Sequence, residues 1–248
     1  RLFDIPVLPA SALLALQTVW KAALLLAAIG LWTRPTLLVA AGLSPYLLGL
    51  PHNFGKTHHF DALVVLVLIV LAASRCGDAW SLDALRRTIR NPRGARPRPP
   101  SPEYTWPIRA VWSLMAIVFL SSGLAKLTTS GGRWALSENL SILLQASYYH
   151  TSNADPLFSW GLALSQAPLL YQGLAAMTLF CEVCYPLALV SMPMRWIVVP
   201  GMFFSQLGIR WFMGPTFTQF LICNAFWVPW QRGGERLRAW LGAGQRRI

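Results

Sequence analysis

The chain has 248 residues, of which 55% are hydrophobic and 12% charged, with a net charge of +12 and a mean hydropathy of +0.47. Soluble domains carry about 25% charged residues, so this composition excludes an ordinary water-facing globule and makes lipid the simpler solvent. The positive charge does not point to nucleic acid, because the arginines fall in short stretches between apolar runs.

Apolar runs near the ~17–25 residues that span a bilayer recur along the chain. No alternating strand pattern accompanies them. The predicted fold is all-α: a polytopic integral membrane helical bundle of about seven spans plus interfacial helices, a single domain over residues 1–248. The chain starts "RLFDIP", with no initiator Met and no signal-peptide pattern, as expected of a segment of a longer protein that lacks an earlier helix.

The first expected span is Pro9–Trp32, with Lys21 inside it needing to snorkel or find a partner. Pro35–Leu50 and His59–Ala73 are shorter second and third spans. Arg86 to Glu103 is rich in Pro and Arg and reads as a loop. Pro107–Leu127 is the fourth span, its proline suited to a first helical turn. Thr128 to Pro168 is half polar and aromatic-rich, which predicts short helices lying at the interface. Leu169–Met192, Trp196–Phe212 and Phe217–Trp230 are the fifth to seventh spans, and a basic amphipathic tail closes the chain.

Alternation of these spans places 15 of the 21 basic residues on the side of the Arg86–Arg98 stretch and 4 on the other. The positive-inside rule makes the first side cytoplasmic. The protein is therefore expected in the cell membrane as a multi-pass chain with its basic loops and C-terminus in the cytoplasm. His58, His59, Lys126 and Arg210 then fall at the outer ends of their helices, and a site is expected there.

Lys126 ends the fourth span after Ser121, Ser122, Gly123 and Ala125, small residues that let helices approach closely. A lysine in a dry pocket gives up its charge more readily and can act as a general base; the plainer alternative is an interfacial lysine that snorkels. Neutral imidazole at His58 or His59 can exchange protons near neutral pH. Adjacent residues on a helix point about 100° apart, which disfavours a shared metal ion, so no metal is expected. A pair bonded to loop backbone is the structural alternative. Glu182 lies midway along the fifth span, where a carboxylate marks a functional site or a buried pair with Lys126 or Arg210. Cys181 and Cys184 form a C-x-x-C inside an apolar helix, better read as two small packed side chains than as a redox pair.

"GKTHHFDALVVLVLIVLAASRCGDAWSLD", "YTWPIRAVWSLMAIVFLSSGLAKL" with Trp134 following, and "CEVCYPLALV" together resemble the horizontally transferred transmembrane (HTTM) domain, the membrane part of vitamin K-dependent γ-glutamyl carboxylase. The resemblance runs from about Gly30 to Trp230. It implies that Lys126, in the block Gly123-Leu124-Ala125-Lys126-Leu127, deprotonates reduced vitamin K or menaquinol on the extracytoplasmic side. Oxygen then yields a base strong enough to remove the γ-proton of a glutamate, which captures CO2 as the quinone leaves as epoxide. His59 matches the family's assisting histidine best, with His58 beside it. Glu182, Trp134, Gln206 and Arg210 are the expected quinol-binding residues.

The chain departs from the carboxylase in two respects. These 248 residues are expected to leave no room for the extramembrane region that holds propeptide and substrate, and Gln206 stands where a histidine is expected. The alternative reading is a non-catalytic membrane maturation, immunity or accessory protein for a secreted peptide. The expected partners are the bilayer, a quinol and a secreted peptide or protein, not nucleic acid. A third reading, a quinone-linked electron carrier, would need redox work from Cys181 and Cys184.

Overall fold

The computed structural model describes residues 5–55, 60–91, 101–150 and 156–230. Among them the secondary structure is helical throughout, with no strand. The chain divides into two compact units, residues 1–114 and 115–248. Among the described residues, three helices are long and apolar enough to cross a membrane: Ala10–Ala28, Pro102–Ser130 and Pro168–Leu189.

In the first unit, α1 (Ala10–Ala28), α2 (Thr33–Gly49) and α3 (Phe60–Ala73) fold back on one another as successive antiparallel helices. Leu37, Ala41, Leu68 and Ala72 form their core, with Leu24, Ala27, Val64 and Leu71 packed around it. Two polar ties supplement this packing: Trp20 Nε1 donates to Ser44 Oγ at 2.9 Å, and Tyr46 Oη donates to the Pro6 carbonyl at 2.8 Å. Lys21 is exposed on α1. The end of α1, the start of α2 and the end of α3 lie together, so Arg34 and Arg75 share one end of this bundle.

The stretch read as a loop from Arg86 holds a helix in its first part, α4 (Leu82–Arg90). Ser81 caps it, its hydroxyl accepting the Ala84 N–H at 2.9 Å, and Asp83 sits in its first turn. The apolar positions that make it a helix, Leu82, Leu85 and Ile89, begin ahead of the arginine-rich run and are diluted by it. Residues 92–100 lie outside the described residues.

The next helix, α5 (Pro102–Ser130), starts five residues before the predicted fourth span. Ser101 starts it: its hydroxyl accepts the Glu103 N–H at 3.3 Å and its carbonyl the Tyr104 N–H at 3.0 Å. Pro107 is thus inside the helix, near enough to its start to be tolerated.

The second unit begins within α5. Gly131, at φ 59, turns the chain at the end of that helix, and its N–H is taken by the Leu127 carbonyl at 2.9 Å. Three short helices follow: α6 (Arg133–Leu136), α7 (Asn139–His150) and α8 (Pro156–Ser165). α7 and α8 pack together, with the Ser141 hydroxyl donating to the Ser165 carbonyl at 2.9 Å. Then come α9 (Pro168–Cys184), continued by a 3-10 turn through Leu189, and α10 (Met192–Met213). α9 and α10 run antiparallel: Thr178 Oγ1 lies 2.9 Å from Ser205 Oγ, and a Cβ added at Gly201 would sit 2.6 Å from Cys181 Sγ.

The seventh expected span, Phe217–Trp230, is not one long helix. It contains α11 (Thr218–Cys223), six residues long, followed by a 3-10 turn over Asn224–Trp227. The Asn224 side chain donates to the Phe220 carbonyl at 2.9 Å and so competes with a continued backbone ladder. α10, at 22 residues, is long enough to cross but less apolar than the three helices above. α2 and α3, at 17 and 14 residues, are shorter. The basic tail expected at 231–248 lies outside the described residues.

Candidate functional site

Lys126 and Glu182 meet. The Lys126 ammonium donates to both carboxylate oxygens of Glu182, at 2.5 Å to Oε1 and 2.6 Å to Oε2. The Ser122 hydroxyl, one turn earlier on the same face of α5, donates to Oε1 at 3.1 Å. Of the two cations proposed as partners for Glu182, the structure therefore selects Lys126. The carboxylate is nearly enclosed, its side chain 6% exposed, while that of Lys126 is 23% exposed.

This contact depends on a glycine. A Cβ added at Gly123 would lie 2.8 Å from Val183 Cγ2 and 3.1 Å from both Val183 N and Glu182 Cβ. Hydrogen at position 123 lets α5 and α9 approach until a lysine and a glutamate can bond directly. On an adjacent face of α9, Gly201 admits Cys181 in the same way.

Trp134 completes the cluster. After the Gly131 turn, α6 returns the chain so that the indole lies beneath the ammonium, 4.4 Å from ring centroid to Nζ. Trp134, Leu127, Leu140 and Val183 surround a small core of Ala135, Ala175 and Leu179. Beside this core an open apolar groove of about 370 Å³ is lined by Gly132, Ala135, Leu136, Ala176, Leu179, Phe180, Val183 and Cys184. Val183, next to Glu182 in the chain, belongs to the groove wall, while Lys126, Glu182 and Trp134 do not line it.

The other expected residues are placed differently. The α9–α10 register sets Gln206 roughly 9 Å and Arg210 roughly 15 Å from the level of Glu182 along the helix axis, at 1.5 Å per residue. Gln206 is buried, and its Oε1 has no hydrogen-bond partner among the described residues. Arg210 is exposed and donates to the Gly214 carbonyl at the end of its own helix, at 3.4 Å. His58 and His59 lie outside the described residues. Cys181 is buried, and Cys184 reaches the groove wall.

Ser122 was not among the residues singled out as ligands. Its signal was available in the spacing: a hydroxyl four residues before a lysine faces whatever that lysine faces. Chemically, the cluster is a buried acid and a largely buried amine in direct contact, with an aromatic face holding the amine in place. Base chemistry at Lys126 requires its ammonium proton to pass to Glu182 or leave the pair. No family model, curated protein or solved structure matches the chain.

Proposed function

We propose that this chain is an integral-membrane, vitamin K-dependent γ-carboxylase-like enzyme that activates a reduced quinone with oxygen at the Lys126–Glu182 pair. The observation that carries the reading is that pair, its ammonium seated over Trp134, with an apolar groove beginning at the neighbouring Val183. A reduced quinone, when bound, supplies a weakly acidic hydroxyl and the electrons that reduce oxygen. The groove offers an apolar surface for its ring and tail.

In this reading Lys126 takes the hydroxyl proton, and Glu182 receives the proton that Lys126 must first release. Ser122 and Trp134 hold the two groups in place. His59 and His58 assist on the extracytoplasmic side, and CO2 is the second small substrate. Arg210 lies farther along α10 and would meet only a polar group at the ligand's edge.

The membrane arrangement belongs to the same proposal: about seven spans, with α2, α3, α10 and residues 217–230 added to the three long apolar helices, and the arginine-rich end of the α1–α3 bundle in the cytoplasm. What supports the orientation is the gathering of Arg34, Arg75 and the α4 arginines at one end of that bundle.

Purified protein in detergent, given reduced vitamin K or menaquinol under oxygen and followed by mass spectrometry, tests this reading. Epoxide is expected from the wild type and not from Lys126→Arg. Arginine keeps a cation against Glu182 but does not act as a base. Epoxide at the wild-type rate from Lys126→Arg removes Lys126 as the base.

The closure of the pair also favours a second reading. With both partners satisfied by each other, Lys126–Glu182 can serve as a clamp between α5 and α9 in a non-catalytic maturation or accessory protein for a secreted peptide. Absence of epoxide from every quinol, together with capture of a secreted peptide by Lys126→Arg as well as by wild type, selects it.

A further inference from the structure

We infer that α4 is a membrane-surface helix that binds anionic lipid headgroups, held at the end of a membrane-crossing helix by a rigid junction. The junction is built from three segments. The Leu82 and Asp83 N–H groups donate to the carbonyls of Ile29 and Gly30, at 3.3 and 2.9 Å, just past the end of α1. The Asp83 carboxylate accepts the N–H groups of Trp32 and Thr33, at 3.0 and 2.8 Å, and the Thr33 hydroxyl at 2.9 Å. Gly77 lies so close to Thr33 that an added Cβ would come within 2.7 Å of its side chain. α4 is thereby fixed to the end of Ala10–Ala28, one of the three helices long and apolar enough to cross a membrane. That end is where the hydrocarbon gives way to headgroups.

The face α4 presents there is amphipathic. At 100° per residue, Leu82, Leu85 and Ile89 fall within a stripe about 60° wide, and Arg86 and Arg90 stand along its edge. All five are exposed. An exposed apolar stripe edged by guanidinium groups matches an anionic bilayer surface, which takes the stripe into its acyl boundary and the arginines among its phosphates. Two tryptophans flank the junction, Trp32 and Trp80, 63% and 88% exposed. Both have left-handed backbone, φ 48 and φ 54, which costs a bulky residue about 1 kcal/mol or more. The fold therefore holds two aromatic rings outward at the level where interfacial tryptophans anchor. Arg87 has a separate role, bonding the Gly77 carbonyl at 2.9 Å and Asp78 at 3.2 Å within the protein.

The test is hydrogen exchange of the whole chain in nanodiscs of phosphatidylcholine, with and without phosphatidylglycerol. The amides of residues 85–90 should exchange roughly tenfold more slowly with the anionic lipid, a factor within reach of two arginines at the surface. That difference should vanish in Arg86→Gln/Arg90→Gln and shrink in Leu85→Ser/Ile89→Ser. The Leu82 and Asp83 amides, bonded across the junction, should stay equally protected throughout, which shows that α4 is still formed. Equal exchange in the two bilayers overturns the inference, as does a lipid effect that survives Arg86→Gln/Arg90→Gln. Protection that follows the number of chains per disc instead of the lipid overturns it in favour of a second copy covering the stripe.

Discussion

Asp83 and Glu182 each hold one helix against another, but the donors they receive differ. Asp83 stands in the partly exposed junction of the first unit and takes only neutral donors: two backbone N–H groups and a hydroxyl. Glu182 is enclosed within a helix apolar enough to cross a membrane, and it takes an ammonium on both oxygens. Water near Asp83 carries part of the charge, so oriented dipoles suffice. At Glu182 little water is at hand, and an ion of opposite sign must replace it. The two carboxylates should therefore respond to substitution with different magnitudes and in different ways.

The largest expected effect is at the enclosed pair. Lys126→Ala leaves the Glu182 carboxylate without its cation and should cost about 3 kcal/mol of stability, read as a lower thermal unfolding temperature in detergent. Replacing both partners, as Lys126→Met/Glu182→Leu, should recover most of that loss, because the penalty belongs to the stranded charge more than to the missing contact. If the double variant is as unstable as the single one, the pair contributes packing and not charge compensation.

Next in size is Gly30→Ala. Gly30 has φ 70, and an added Cβ would lie 2.2 Å from Ser81 Cβ and 2.6 Å from Ser81 Cα. Backbone has to move on one side, so the α1–α4 junction should open. The expected loss is about 2 kcal/mol or more, with the Leu82 and Asp83 amides becoming fast-exchanging. Slow exchange at both amides in this variant would show that the junction is not held by the close approach.

Asp83→Asn should be milder, about 1–2 kcal/mol, because an amide still accepts a hydrogen bond but brings no charge. Here pH adds a second handle. The Thr33 N–H, with the Thr33 hydroxyl, the Trp32 N–H and Arg87, holds the Asp83 carboxyl below the ordinary aspartate value of 3.8, while burial acts the other way. A depressed pKa in the folded state means the stabilisation is complete above the ordinary value and fades as pH falls through the lower folded one. Protection of the Thr33 amide should thus hold at neutral pH, weaken only below about pH 4, and lose this dependence in Asp83→Asn.

The same comparison explains what could be read from the sequence. The ends of α1, α2 and α3 are near where the apolar runs place them, because an apolar helix writes itself as an uninterrupted run, whereas α9 stops at Cys184 and reaches Leu189 only through its 3-10 turn, short of the expected Met192. Glu182 is conspicuous for the same reason: an acid inside an apolar run marks a functional site or a buried pair, with Lys126 and Arg210 as the plausible partners. Choosing between them required the α9–α10 register and the approach at Gly123, neither of which is local in sequence. α4 was hidden because its apolar stripe has three members among nine residues and its arginines belong to a longer basic run. The break after Cys223 was hidden too, since it depends on Asn224 turning back to the Phe220 carbonyl and on Trp227 reaching the Tyr185 hydroxyl at 3.0 Å.

The smallest effect should come from Trp134, and it separates the two carboxylates most cleanly. Among the described residues Asp83 has no aromatic counterpart to the indole that lies 4.4 Å from the Lys126 ammonium. Trp134→Leu removes both ring area and the cation–π attraction, so its stability loss alone cannot identify the attraction. Measured again in Lys126→Met/Glu182→Leu, the same substitution removes ring area only. The difference between the two losses should be about 0.5–1 kcal/mol, the size of a partly exposed cation–π contact. Equal losses would assign Trp134 to the packing around Ala135, Ala175 and Leu179, with Leu127 and Val183, and leave Glu182 and Ser122 as the groups that position the amine.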